Sequence, residues 1–184
     1  NAITTIINML SEEQNIKNNP LFEPLKFSSN HLMMIINDIL DFTKLDLGKV
    51  ELDLTDHNLS ELINKIHQTY YPLADEKGIE LICEVDDNFS EFYKIDNTKF
   101  VQVMGNLVNN AIKFTDTGEV KVAVTLIEQV DDKARLRFIV KDTGIGITED
   151  KQQKIFERFQ QAESDTTRRY GGTGLGLSIA KQII

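Results

Sequence analysis

The chain has 184 residues, and 29 acidic against 20 basic side chains give it a formal net charge of −9 at pH 7. This acidic balance argues against a nucleic-acid-binding surface, which would be basic. The single cysteine, Cys83, excludes an intrachain disulfide and a cysteine-cluster metal site, and it fits a reducing compartment such as the cytoplasm. No stretch approaches the roughly 20 apolar residues that span a bilayer, so we expect no membrane contact from this segment.

The first 47 residues are predicted to form two amphipathic helices. Ile3, Ile6 and Ile7 recur at helical spacing, and a second helix is predicted to begin between Pro20 and Phe27. Two such helices cannot bury both apolar faces alone, so we expect a hairpin that completes a four-helix bundle by dimerising. Packing of the hairpin on its own domain is the alternative. The apolar positions of the second helix are Leu25, Leu32, Ile35, Ile36, Ile39, Leu40, Phe42 and Leu45.

A different pattern begins at residue 48. Val50, Leu52 and Leu54 alternate with acidic residues, which predicts a half-buried strand. A helix follows, for which Asn58 is the predicted N-cap. Pro72 is expected to kink or end this helix.

The remaining elements alternate between strand and helix. A strand is predicted at Ile79–Val85, and a helix capped by Asp96 over Asn97–Lys113. Strands Val120–Ile127 and Arg135–Lys141 are predicted to pair as an antiparallel hairpin with one face in the core. Because this order is not that of a Rossmann fold, we expect an α+β sandwich, with a mixed sheet and helices on one face.

Three polar residues share one stripe of the second predicted helix of this region. At about 100° per residue, Asn106, Asn110 and Lys113 lie within roughly 60° of one another. Amide oxygens suit a hard cation such as magnesium, and a lysine suits phosphate. For this helix alone, a solvated polar face is the favoured interpretation.

A segment rich in aspartate and glycine, DTGIG, follows the last predicted strand. Asp142 could accept a hydrogen bond from an exocyclic amine, as on adenine, and Gly144 and Gly146 would let the backbone approach a flat ring. Alone, this segment could equally be a turn.

A second glycine segment, YGGTGLGLSIAKQII, runs into a predicted helix at the end of the chain. A glycine loop entering a helix N-terminus directs N–H groups at an anion. The segment lacks the Gly-Lys-Ser/Thr ending of a P-loop, and its spacing is not the dinucleotide fingerprint.

Between the two glycine segments, residues 148–170 are largely polar. They contain Phe156, Phe159 and the basic pair Arg168 and Arg169. We interpret them as a lid that closes over a ligand, with an arginine reaching phosphate; an ordinary surface loop is the alternative.

The order of these segments resembles the catalytic, ATP-binding domain of sensor histidine kinases. The asparagine stripe looks like the N box of that family, the two glycine segments look like its glycine boxes, and Phe156 with Phe159 looks like its F box. Residues 37–52, NDILDFTKLDLGKVEL, resemble the second helix of the dimerisation and histidine-phosphotransfer hairpin. The stretch TTRRYGGTGLGLSIAKQI is similar to the hybrid type. The resemblance therefore implies a hairpin domain at 1–47 and a Bergerat-type catalytic domain at 48–184.

This resemblance implies ATP and magnesium as ligands and assigns roles to single residues. Asn110 would bind magnesium with Asn106 beside it, Lys113 would contact phosphate, and Asp142 would bind the adenine amino group. Asn106 and Lys113 are the implied catalytic residues. The implied ATP-binding residues are Asn106, Asn110, Lys113, Asp142, Gly144, Gly146, Arg168, Gly172, Thr173, Gly174, Leu175 and Gly176.

The phosphoacceptor histidine of the family belongs just ahead of Asn1, so we expect the chain to bind ATP without phosphorylating itself there. The histidines present, His31, His57 and His67, are predicted to be structural or surface residues. The domain of the family continues past Ile184. The implied partners are a second copy through the hairpin and a response-regulator receiver domain, and a membrane anchor elsewhere in the parent protein is left open.

Two alternatives remain at this point. ATPases of the gyrase, Hsp90 or MutL type use a glutamate four residues before the metal asparagine. Here that position is Asn106, whose amide cannot take a proton from water. The second alternative is a catalytically silent dimerisation and signalling module, against which the intact pocket positions argue.

Overall fold

The computed structural model describes residues 52–86, 92–131, 133–152, 154–157 and 174–184, together with eight isolated positions nearer the start. The chain divides into two compact units, Asn1–Lys49 and Val50–Ile184. The first predicted helix of the hairpin lies outside the described residues. The described positions of the first unit are all helical, and they are Phe22, Leu25, Ser28, Ser29, Leu32, Met33, Ile36 and Thr43.

The second unit alternates strands and helices. No helix among the described residues combines the length and apolar character needed to cross a bilayer. A short 3-10 helix spans Lys154–Phe156. In chain order the elements are β1 (Thr55–Asn58), α1 (Leu59–Glu76), β2 (Ile79–Val85), β3 (Phe92–Ile95), α2 (Asn97–Phe114), β4 (Gly118–Val130), β5 (Lys133–Asp142), α3 (Glu149–Gln152) and α4 (Gly176–Ile183).

The strands form two sheets. Strands β1 and β3 pair antiparallel, while β4 pairs parallel with β2 and antiparallel with β5. The larger sheet is therefore mixed, as predicted. Its register sets Ile79 opposite Gly118 and Val120 opposite Asp142, so the end of β5 lies beside the start of β4.

The core lies between one face of the larger sheet and helices α1 and α2. Alternate residues of β4 are almost fully buried, which confirms that one face of the hairpin lies in the core. Each large apolar side chain buried in this way contributes about 1.5–3 kcal/mol. The buried residues of this core are Leu59, Ile63, Ile66, Ala74, Ile79, Leu81, Met104, Val108, Ala111, Ile112, Val120, Val122 and Val124.

Two side chains cap the helices as their sequence positions predict. Asn58 Oδ1 accepts from the N–H of Glu61 at 3.1 Å, which starts α1. Asp96 Oδ1 accepts from the N–H of Lys99 at 2.9 Å, which starts α2, while its Oδ2 accepts from the N–H of Asp53 at 3.0 Å.

The first strand of this unit differs from the prediction. Residues 52–54 are outside regular structure, and Leu52 and Leu54 are more than half exposed; Val50 lies outside the described residues. The observed strand is β1, which begins at Thr55, because these residues pair with β3. Strand β3 has only four residues and no clear apolar alternation, and it was not predicted.

Helix α1 contains Pro72, which was predicted either to kink the helix or to end it. It does not end there but continues to Glu76, and its buried face extends to Ala74. Burial on this face outweighs the cost of a proline inside the helix. The chain leaves the helix at Gly78, whose φ of +69° lies in the left-handed region.

Candidate functional site

Helix α2 carries the predicted polar stripe along the edge of the core. Asn106, Asn110 and Lys113 are half-buried on this helix, while neighbouring positions such as Met104 and Val108 are buried. The stripe is thus flanked by apolar packing rather than spread over a fully solvated face.

Asn106 connects this stripe to the second glycine segment. Its Nδ2 donates to the carbonyl of Gly176, the first residue of α4, at 3.0 Å. A Cβ at position 176 would lie 3.0 Å from Asn106 Oδ1 and 3.2 Å from its Cγ. Glycine at this position therefore permits the close approach of the amide to the start of α4.

The first glycine segment docks on the C-terminal end of α2, beyond the last residue of the stripe. Asp142 Oδ1 accepts from the N–H of Gly144 at 2.9 Å, and the N–H of Ile145 donates to the carbonyl of Phe114 at 3.2 Å. A Cβ at Gly144 would overlap this Phe114 carbonyl. Gly146 has a φ of +68° and would have no atom within 4 Å of an added Cβ, so open space lies beside it. The aspartate-glycine loop is thus held against the C-terminal end of α2.

Thr143 fastens the same loop to the sheet. Its N–H donates to the carbonyl of Glu119 at 3.2 Å, and its Oγ1 accepts from the N–H of Glu119 at 3.0 Å. Gly118, with a φ of +114°, lies so close that a Cβ there would overlap the hydroxyl. No sequence motif indicated this role for Thr143, and its position between Asp142 and Gly144 was the only signal.

Lys77 is a second residue that no local pattern indicated. It follows α1 directly, and its Nζ donates to the carbonyls of Ile112 at 2.8 Å, Lys113 at 3.1 Å and Thr115 at 2.7 Å. These carbonyls belong to the C-terminal end of α2, where the aspartate-glycine loop also docks.

The ammonium of Lys113 lies in a partly dehydrated environment. Burial lowers the pKa of Lys113 from its ordinary value, and its Nζ lies 4.7 Å from the centre of the Phe114 ring. Because burial costs the charged form hydration, an anion bound beside it would restore favourable interactions. This lysine is therefore suited to contact a phosphate.

The remaining predicted residues fall into two groups. Gly174 has a φ of +70° and Leu175 is buried at the start of α4, whereas Phe156 is exposed, with Lys181 Nζ 5.6 Å from the centre of its ring. The predicted lid lies mostly outside the described residues. Outside them too are Phe159, Arg168, Arg169, Gly171, Gly172 and Thr173.

Two of the three histidines lie on this unit with partners. His57 Nε2 is 2.9 Å from Thr55 Oγ1, and His67 Nε2 is 3.2 Å from the carbonyl of Leu81. These contacts fit the structural or surface roles expected for them. His31 lies outside the described residues.

Comparison with known proteins decides the family. Residues 95–184 match the family model described as "Histidine kinase-, DNA gyrase B-, and HSP90-like ATPase". The chain is 32% identical to the solved catalytic domain of the histidine kinase ThkA, with a TM-score of 0.56, over 72% of this chain and 80% of that one. The chain belongs to the sensor histidine kinase family.

Longer histidine kinases match nearly the whole chain. The autoinducer 2 sensor kinase/phosphatase LuxQ of Vibrio cholerae is 41% identical over 98% of this chain and 22% of its own length. The solved structure of full-length ShkA in complex with AMPPNP is 29% identical, with a TM-score of 0.77, over 98% of this chain and 36% of that one. The chain therefore spans about a fifth of LuxQ. Because these relatives are histidine kinases, the gyrase, Hsp90 and MutL alternative is not favoured.

Proposed function

We propose that this chain is the ATP-binding catalytic part of a protein-histidine kinase, which transfers the γ-phosphate of ATP to a histidine and then to a response-regulator aspartate. One observation carries the proposal: helix α2, which carries the polar stripe, contacts both glycine segments. Asn106 bonds to Gly176 on one side, and Phe114 bonds to Ile145 on the other. The two glycine segments therefore meet at the helix that carries the polar stripe. This brings three segments with the chemistry of nucleotide binding together.

The aspartate-glycine loop would bind the adenine. Asp142 is an exposed carboxylate at the end of β5 and would accept a hydrogen bond from the exocyclic amine. The open space beside Gly146 fits a flat ring, and Gly144 keeps the loop close to α2. The residues present thus fit an adenine nucleotide.

The stripe of α2 and the second glycine segment would bind the phosphates and magnesium. Among the described residues, no three His, Cys, Asp or Glu side chains cluster as a metal site. Asn110, whose amide oxygen suits a hard cation, would hold magnesium together with phosphate oxygens of the nucleotide. Lys113 would contact phosphate, while Arg168, Gly172, Thr173, Gly174, Leu175 and Gly176 complete the proposed site.

The chemistry we propose for these residues is positioning and charge neutralisation. ATP supplies a γ-phosphoryl group, which an imidazole nitrogen would attack in line. The N–P bond would form as the bond between the γ-phosphorus and the bridging β-phosphate oxygen breaks, and ADP would leave. Lys113 would offset negative charge on the phosphates, and Asn106 holds the start of α4 beside them. Because an amide cannot act as a general base, Asn106 would not activate water, which favours transfer to histidine over hydrolysis.

We also propose that the chain acts as a homodimer through residues 1–47. Leu25, Leu32 and Ile36 are 53%, 50% and 41% exposed, and their spacing sets them on one face of a helix. An apolar stripe left exposed within one chain supports association with a second copy through this stripe.

A response-regulator receiver domain is the second proposed partner. A solved structure of ThkA, 27% identical to this chain with a TM-score of 0.60, is in complex with the response regulator TrrA. The cytoplasm, where ATP is available, is the compartment that this function requires.

Calorimetric titration of the chain with ADP in the presence of magnesium tests the nucleotide site. We expect saturable binding by the wild type and a loss of at least about tenfold in affinity for Asp142→Asn. The amide has a single acceptor oxygen, and when the N–H of Gly144 occupies it the NH2 group faces the adenine amine. Asp56→Asn makes the same chemical change on an exposed residue of β1 and should bind like the wild type. A folded wild-type chain that does not bind ADP would contradict the proposal.

A further inference from the structure

The ammonium group of Lys77 lies where helix α2 ends. Its Nζ donates to three main-chain carbonyls at 2.7–3.1 Å, and a lysine ammonium has three N–H groups to donate. Lys77 is half-buried and follows the last turn of α1. A cation at the C-terminus of a helix also interacts favourably with the helix dipole.

Lys77 belongs to a complete set of donors at this helix end. The last carbonyls of a helix lack partners within the helix and need other donors. Thr115 Oγ1 donates to the carbonyl of Ala111 at 2.8 Å, and the N–H of Ile145 donates to that of Phe114 at 3.2 Å. Lys77 donates to the other three carbonyls between residues 111 and 115. Each carbonyl of this stretch therefore has a donor, and for three of the five carbonyls that donor is the ammonium of Lys77.

The same helix end serves the two halves of the proposed site. Lys113, which would contact phosphate, has its carbonyl bonded to Lys77 Nζ. The next residue, Phe114, receives the loop that carries Asp142, and the absence of a side chain at Gly144 lets the two main chains touch. A shift of this turn would therefore move the phosphate-binding lysine and the adenine-binding loop together.

We propose that Lys77 is a positioning residue for nucleotide binding, which fixes the C-terminal turn of α2 and through it the aspartate-glycine loop. This inference rests on the proposed nucleotide-binding function. Lys77 follows α1, whereas the predicted N-box residues lie on α2, and it acts through main-chain carbonyls rather than through the ligand.

The experiment compares Lys77→Met, Lys77→Arg and Lys65→Met with the wild-type chain. Lys65 is an exposed lysine within α1, the helix that Lys77 follows, so Lys65→Met removes the same charge from a solvent-facing position. The dissociation constant for ADP with magnesium is measured by calorimetry at a temperature where thermal unfolding curves show each variant to be fully folded.

We expect Lys77→Met to bind ADP about tenfold more weakly, the change that corresponds to about 1.4 kcal/mol. Lys77→Arg keeps a charged donor, and its ADP affinity should lie within about threefold of that of the wild type. Lys65→Met should have the affinity of the wild type. In the nucleotide-free protein, the amide resonances of Gly144 and Ile145 should shift in Lys77→Met and stay in place in Lys65→Met.

Equal affinities in fully folded wild type and Lys77→Met would overturn the inference and leave the proposed function intact, since Lys77 would then stabilise the fold alone. Absence of ADP binding by the folded wild type would instead overturn the proposed function, and this inference with it. If Lys77→Met does not fold, Lys77→Gln, which keeps a shorter donor, is measured in its place with the same criteria.

Discussion

The main-chain carbonyl of Phe114 limits what residue 144 can be. A Cβ at Gly144 would overlap this carbonyl and its carbon, and neither can move without displacing the end of α2. Gly78 imposes a different limit, since its φ of +69° is strained for other residues but its surroundings are open. Glycine is therefore required at position 144 by a close contact and at position 78 by the backbone conformation.

Gly144→Ala is expected to weaken ADP binding by at least about tenfold, because the loop that carries Asp142 must leave the end of α2. Gly78→Ala is expected to cost about 1–2 kcal/mol of folding stability, since the left-handed backbone is strained while the space around it is open. Calorimetry and urea unfolding measure the two quantities. Wild-type affinity in Gly144→Ala would contradict the contact argument.

Helix α2 is held at both ends by groups outside it. At its start, Asp96 accepts hydrogen bonds from the N–H groups of Lys99 and Asp53. Burial opposes ionisation of Asp96, but these hydrogen bonds, together with the Lys99 ammonium, outweigh it and lower the pKa of Asp96. At its end, Lys77 holds the carbonyls. The helix that carries the candidate site is therefore held at both ends rather than at one contact.

Asp96→Ala is expected to destabilise the fold by about 1–2 kcal/mol at neutral pH, the usual cost of losing an N-cap. A carboxyl whose pKa is lowered by folding contributes stability above its ordinary pKa of 3.8, and this is lost as pH falls through the lowered value. The difference between wild type and Asp96→Ala should therefore shrink in acid.

Urea unfolding at neutral pH and below pH 3.8 measures this difference. The matched control is Asp56→Ala on exposed β1, which should show a smaller effect. A difference that stays constant into acid would count against the ionised carboxylate as the cap.

At the scale of the whole molecule, the first unit leaves apolar surface uncovered. The exposed side chains Leu25, Leu32 and Ile36 repeat at helical spacing, and a stripe of this kind is buried in proteins that dimerise. The second unit has its own core, so nucleotide binding and association should respond separately to mutation.

Leu32→Lys is expected to convert a dimer of the wild-type chain to monomer, because a charge in the buried stripe would be desolvated without a partner. Sedimentation equilibrium measures the change. Leu54→Lys replaces a similarly exposed leucine of the second unit and should leave the dimer intact. A wild-type chain that stays monomeric at high concentration would refute the dimer proposal.

The elements with strong local sequence patterns were predicted well. Strand β2 has the predicted bounds, and α2 extends the predicted helix by one residue, because apolar periodicity and a capping aspartate are local signals. The short strands β1 and β3 were not predicted, since each depends on pairing with the other across more than 30 residues. The order of the asparagine and glycine segments was enough to indicate the family.

The sequence by itself determined the family, the mixed α+β character and the chemical types of the candidate site residues, because these depend on residue order and local spacing. Only the tertiary structure decided that the end of α2 is shared by Lys77 and the aspartate-glycine loop. Lys77 lies at least 35 residues from the carbonyls it binds, and Ile145 reaches Phe114 from beyond the β4–β5 hairpin. Such contacts depend on main-chain carbonyls, which every residue has, so packing alone selects them.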